Sequence, residues 1–399
     1  MKNRRSFWKS RQLPVSNASG TQLEASCATQ FLCSQRWPLP DGRGTAVVSP
    51  LTAWSIAQAL LLSVCFGCFP LIATGSDVLT SRSAISAVER GVRILEKAAR
   101  NYPEHRDCFA CHHQTLPLLA MREARAAGVS VDESVFRDTL DFVRKFFAAR
   151  TSKMSEGENI PGRALMVAYG AFSFEVADVV PPTDVAQAMA KYVVWRQERD
   201  GRWKPSAIRP PSEQSEVSNT VLALRTLRAL ESADAEWSVT AAESKRRGLE
   251  WLAGQDCRLQ EDLAFRLWSF QWFGDEGAQR GEFVRRIAMH QRDDGGWAAE
   301  SGLKSEAYST GLTLFALLET GEPFDSLMIR RAAEYLLASQ QGDGSWLVET
   351  RAKPVQVFFD NGDPHGKSQF ISITATGWST AALARWAKLE KTQARKVSP

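Results

Sequence analysis

From Ala84 onward, apolar and polar positions fall into two kinds of segment that alternate along the chain. Six segments carry charges at helical spacing: Ala87–Arg100, Glu133–Arg150, Asp184–Gln197, Ala242–Gln255, Glu282–Gln291 and Leu327–Gln340. Each predicts an amphipathic helix with one wet face. Six others are almost uncharged: Gln114–Met121, Ala164–Phe174, Ser218–Leu224, Leu263–Phe273 with Arg266 inside it, Ala307–Leu318 and Thr374–Ala384. A helix that is apolar all round must be buried all round. The alternation therefore predicts an all-α fold, a closed α6/α6 toroid over residues 84–390 with the uncharged helices inside. No stretch is rich enough in β-formers to compete.

Three short copies of one pattern follow outer segments: Gln197, Gly201 and Trp203; Gln291, Gly295 and Trp297; Gln340, Gly344 and Trp346. Glycine supplies the positive φ that stops a helix, the glutamine side chain can bond free backbone groups at the helix end, and the tryptophan is a plate for the next hairpin. The stretch Trp251-Leu252-Ala253-Gly254-Gln255-Asp256 reads as a decayed fourth copy. A unit of about 50 residues that cannot bury its own apolar face belongs to a stacked or closed array.

These copies resemble the QW repeats of the squalene-hopene cyclase and prenyltransferase superfamily, over roughly residues 84–390. The stretch from Phe358 to Phe370 also resembles single-toroid bacterial relatives that pair this fold with a Cys-x-x-Cys-His motif. The resemblance implies one α6/α6 toroid and points to terpenoid processing as one activity, with a non-catalytic binding module as another role. The residues of the family's reactions do not carry over. There is no Asp-x-Asp-Asp acid motif, and Asp293-Asp294 lies inside a repeat, where turn chemistry accounts for it. The Asp-x-Cys element of zinc-dependent prenyltransferases fails, because Cys257 directly follows Asp256, and His365 alone is not a zinc site. A thioester motif is also absent. The inner segments supply Tyr169, Phe172, Trp268, Trp272, Tyr308, Phe315 and Trp378, which either fill the barrel or line a cavity whose π faces attract cations.

The motif with its own chemistry is Cys108-Phe109-Ala110-Cys111-His112. Two thiols at this spacing can add to the vinyl groups of a haem while the next imidazole ligates the iron, which predicts a haem c held by Cys108, Cys111 and His112. A redox dithiol, whose thiol pKa a helix start would lower, is an alternative; a metal site or a structural disulfide is another. Ring closure sets the last helix pair beside the first, and loops after outer helices share one end. His365, in the loop Leu347–Ile373, is thus the candidate for a second axial ligand, with Met121 or an open position as competitors. Phe358, Phe359 and Phe370 argue that this loop is ordered. The expected activity is electron transfer or haem-assisted oxidation of a ligand in the cavity, with a redox partner or an apolar small molecule as the partner.

Charge changes the picture at one end. Residues 1–75 hold seven Lys/Arg against Glu24 and Asp41, leaving 42 basic and 43 acidic side chains in the remainder, so the body has no electrostatic footprint for nucleic acid. No residue between Arg43 and Asp77 is charged. With a basic stretch over 1–50 before it and Ala73-Thr74-Gly75 after it, the segment 51–75 predicts an export signal or a retained membrane anchor, hence a periplasmic or extracytoplasmic protein. Four of the seven cysteines, Cys27, Cys33, Cys65 and Cys68, fall in this leader; too few remain for a disulfide framework.

Overall fold

Helix ends in this chain are marked by ordinary capping chemistry. Thr80 and Ser83 form a capping box on the first helix, the Asp132 carboxylate accepts from the Ser134 and Val135 N–H groups on the third, and Ser215 and Ser326 cap two more. The computed structural model describes residues 79–230, 235–274, 279–353 and 357–397. The leader, the segment 51–75 and their four cysteines lie outside the described residues. Among those described, no helix is long and apolar enough to cross a membrane.

The outer helices are α1 (Ser81–His105), α3 (Glu133–Ala148), α6 (Thr183–Trp195), α8 (Ala235–Ala253), α10 (Gln279–His290) and α12 (Leu327–Ser339). The inner ones are α2 (Thr115–Ala126), α5 (Arg163–Val176), α7 (Glu216–Ala229), α9 (Gln260–Phe273), α11 (Ala307–Glu319) and α13 (Gln369–Val397), and a single extra turn, α4 (Thr151–Ser155), precedes α5. The ring closes: α2 packs on α5, α5 on α7, α7 on α9, α9 on α11, α11 on α13, and α13 back on α2. On the outside, α1 meets α12 and packs against both α2 and α13. This is the α6/α6 toroid that the alternation of segments predicts. Because every inner helix follows an outer one, all inner N-termini share one end, the mouth, which the long loops cross.

The inner helices run past the uncharged segments of the sequence, and the added turns carry charge. At the far end Arg385 of α13 pairs with Glu123 of α2 (3.0 Å) and with Glu319 of α11, and Arg122 also reaches Glu123 (2.6 Å). Burial of Glu123 is tolerated because two guanidiniums offset the desolvation.

The three repeats are latches between neighbouring outer helices. Each glutamine donates to its own glycine carbonyl and to a carbonyl of the next outer helix: Gln197 to Gly201 and Ser244 (2.8 Å each), Gln291 to Gly295 and Met328 (2.9 and 2.8 Å), Gln340 to Gly344 and Ala87 (2.9 Å each). The buried indoles of Trp203, Trp297 and Trp346 donate to Val193, Ile287 and Leu336, the outer helix just ended. Their backbone N–H groups donate to Thr220, Thr310 and Thr376 on the inner helix about to begin. Gly201, Gly295 and Gly344 have φ of +99°, +88° and +98°, and a Cβ there would strike Arg247, Arg331 and Arg90. Those arginines sit three residues after each carbonyl that the glutamines reach. Arg247 and Arg90 donate to Gln197 and Gln340, and Arg331 to the carbonyls of Arg292 and Asp293. Around 251–257 the latch is lost: Gln255 folds back on Trp251, and Arg286 of α10 takes the Cys257 carbonyl instead.

Candidate active site

The Cys-x-x-Cys-His turn leads straight into α2, at the mouth. Cys108 and Cys111 are free thiols, both half-buried, and Cys108 Sγ lies 3.3 Å from the Tyr102 hydroxyl. His112 Nδ1 and His113 Nδ1 are in hydrogen-bond contact, and the buried His113 ring stacks on Tyr102 at 4.4 Å. The two imidazoles face each other although their residues are adjacent in the chain. Burial pushes His112 down to about 3 and His113 well below the ordinary imidazole range, so both are neutral. Burial pushes the Cys111 thiol up, with Glu213 adding to it, which opposes the lowering that a helix start alone would give.

Two features are compatible with a covalent haem: the thiols are unbridged and only half-buried, and the His112–His113 contact through Nδ1 would leave Nε2 of a neutral His112 free to ligate.

The loop between α12 and α13 folds across this end. Phe370 lies 5.3 Å from the His112 ring, Phe359 lies 5.8 Å from Tyr102 and 5.1 Å from His105, and Asn101 and Arg106 of the first hairpin bind the loop carbonyls of Asp360 and Val357. Phe358, expected inside, is 58% exposed. His365 belongs to the same end but not to the histidine pair: its Nε2 is 2.7 Å from Ser345 Oγ in the third repeat, and its backbone N–H binds Asp363. Met121 is fully buried in α2.

Deeper in the mouth the first turns of α7, α9 and α11 meet. Ser215 donates to Asp262 (2.5 Å), whose other oxygen accepts the N–H groups of Arg258 and Leu259, so α7 and α9 are held in register. This sets Glu261 toward the barrel axis at 6% exposure. Ser218 and Tyr308 lie beside its carboxyl and partly offset the rise in its pKa, while Oε2 has no partner. Burial first, then the charges of Asp262 and Glu213, raise its pKa to about 8, so it is a carboxylic acid at neutral pH. Tyr169 and Tyr308 are raised by burial and by Glu261 as well. The loop before α7 covers this group, with Arg209 paired to the half-buried Glu213 at 3.3 Å.

Below Glu261 on the same face of α9 stand Phe265, Trp268 and Trp272. Trp268 is the hub of an aromatic nest, 5.6 Å from Phe172, 5.5 Å from Phe315 and 6.0 Å from Trp378. The Arg225 guanidinium closes the nest, 3.8 Å from the Phe172 centroid, 4.3 Å from Trp272 and 4.8 Å from Trp268, its Nε on Glu175 at 2.9 Å. The aromatic residues were legible as inner-ring residues, whereas Glu261, Arg225 and His113 were not. Glu261 and Arg225 fall just outside the uncharged segments, since hydrophobic periodicity has no way to mark a carboxyl carried neutral or a cation carried on π faces.

Fold and site together define an α/α toroid with a polar mouth and an aromatic interior. The chain is similar in fold to the type II terpene cyclase MstE from Scytonema in its apo form, with a TM-score of 0.50 and 14% identity over 77% of this chain and 99% of that one. A variant of MstE in complex with merosterolic acid A (product) matches with 0.50 and 12% over 77% and 98%. A possible member of the GH105 family from Salmonella enterica serovar Paratyphi A matches with 0.49 and 12% over 84% and 100%. No family model and no curated protein matches the chain.

Proposed function

We propose that this toroid is an acid catalyst for an unsaturated, isoprenoid-like ligand, with Glu261 as the proton donor. The observation that carries the reading is the placement of a buried, protonated carboxyl with a free Oε2 directly above an aromatic nest. In the reaction, the Glu261 proton adds to one carbon of a C=C bond, whose π pair forms the new C–H bond, and the other carbon becomes a cation. Tyr169 and Phe265, the aromatic residues nearer the mouth, present π faces to that cation. Loss of a proton from a neighbouring carbon to solvent, with or without ring closure, discharges it, so the net change is an isomerisation that needs no oxidant. Glu261 regains its proton from solvent through the mouth. Ser218 and Tyr308 flank the carboxyl, and Asp262 keeps its pKa high by like charge.

The test is incubation with C15 and C20 prenyl carboxylic acids in D2O, read by mass spectrometry. Deuterium incorporated into an isomerised product, and lost in Glu261→Gln, supports the reading; equal incorporation in the variant overturns it.

A second reading rests on the Cys-x-x-Cys-His turn. Cys108 and Cys111 would hold a haem c, His112 Nε2 would ligate its iron, and His113 would orient His112. Bound there, the haem would supply one-electron chemistry at the mouth. This reading carries export of the chain with it, because c-type attachment is an extracytoplasmic step.

A further inference from the structure

The far side of the aromatic nest holds three N–H groups with no acceptor. Arg225 Nη1, Trp268 Nε1 and Trp378 Nε1 are each fully enclosed and without a hydrogen-bond partner, and the residues that carry them are 7%, 2% and 1% exposed. Buried donors are nearly always satisfied, and an orphan costs its full desolvation. One such atom is an accident of packing, but here the three belong to side chains joined through Trp268: the Arg225 guanidinium lies 4.8 Å from its ring centre, and the Trp378 ring centre lies 6.0 Å from it.

We propose that these donors form a carboxylate site, and that the ligand is an apolar chain whose carboxylate binds Arg225, Trp268 and Trp378. Charge selects the head group. Arg225 gives only its Nε to the part-exposed Glu175, so its buried Nη1 is left for one further acceptor, which a singly charged carboxylate matches better than a group of higher charge. A diphosphate would meet two guanidiniums that are both already shared, Arg225 with Glu175 and Arg385, over Phe315, with Glu123 and Glu319, and the described residues hold no cluster of carboxylate, imidazole or thiol groups able to supply a metal counter-ion. The Arg225 guanidinium also occupies the π faces of Phe172, Trp268 and Trp272, so a carbocation has no place at this end and the reacting carbon belongs nearer the mouth. Only the position of the double bond rests on the role proposed for Glu261. Glu261 and Trp268 are seven residues apart on one helix, two turns or about 10 Å, so the reacting bond would sit roughly two isoprene units from the carboxylate.

The experiment uses a saturated C15 isoprenoid carboxylic acid, which has no double bond to protonate, so its binding is independent of the acid chemistry. Quenching of tryptophan fluorescence reads the affinity for the acid, its methyl ester and the corresponding diphosphate. Binding of the acid at least tenfold tighter than of either analogue is expected. Trp378→Phe and Trp268→Phe, which keep one six-membered aromatic ring and delete the donor, should each weaken the acid several-fold more than the ester, with thermal melts confirming that both fold. Glu261→Gln should bind the saturated acid as the wild type does. Equal affinity for acid and ester, tighter binding of the diphosphate, no binding, or an unchanged affinity in both Phe variants would each overturn the proposal.

Discussion

Gln340 Nε2 donates to the carbonyl oxygen of Ala87, 2.9 Å away and 253 positions earlier in the chain, and this bond latches the last outer helix to the first. Arg90, one turn along α1, returns a bond to the same carboxamide. The closure of the ring thus uses the same three-part device, glutamine, glycine and a following arginine, that joins α6 to α8.

Truncating the plate of such a latch is expected to be costly. Trp297→Ala and Trp346→Ala each remove a fully buried indole together with its Nε1 hydrogen bond, and each should destabilise the protein by about 3–5 kcal/mol in chemical denaturation. Loss of a substrate-dependent activity with unchanged stability would show that these residues act in a site instead.

Glu261 predicts a pH dependence with a definite sign. Its pKa rises from 4.5 unfolded to about 8 folded, so the native state holds a proton that the unfolded chain releases. Stability is fully present below about pH 4.5 and falls by roughly 1.4 kcal/mol per pH unit as the pH rises toward 8. Glu261→Gln should flatten that slope in melts recorded between pH 5 and 8. Catalysis by the protonated acid should fade over the upper end of the same window.

The haem reading has a direct spectroscopic check. Protein from a host that attaches haem c should carry a Soret band that survives denaturation, and Cys108→Ala combined with Cys111→Ala should abolish it. A colourless wild type from that host would end the reading.

His365 is predicted to be a tether for its loop. With Nε2 on Ser345, its replacement by Ala should speed proteolysis of the 347–368 stretch. In haem-loaded protein the Soret position should stay where it is; a shift would return His365 to the axial site.

The fold was legible because burial on all sides leaves a sequence signature. Segments such as Ala307–Leu318 have no face that tolerates water, and their regular alternation with charged segments permits little but two concentric rings. The site was legible only where its chemistry is local, as in Cys108 to His112. Glu261 depends on Ser218 and Tyr308, 43 positions behind it and 47 ahead, and on burial that no window of sequence records. The arginines behind each glycine were hidden for the same reason: Arg90 serves Gln340 across the ring.

That latch also sets a schedule. The acceptor at Ala87 is translated long before Gln340 exists; at roughly 5–20 residues per second the wait is about 13–50 s. Throughout it α1 and α2 lack α13, the helix that both pack against, so a nascent chain displays their apolar faces until the final helix emerges. The ring is consequently a post-translational object, and whatever escorts the chain must hold it open for most of its synthesis.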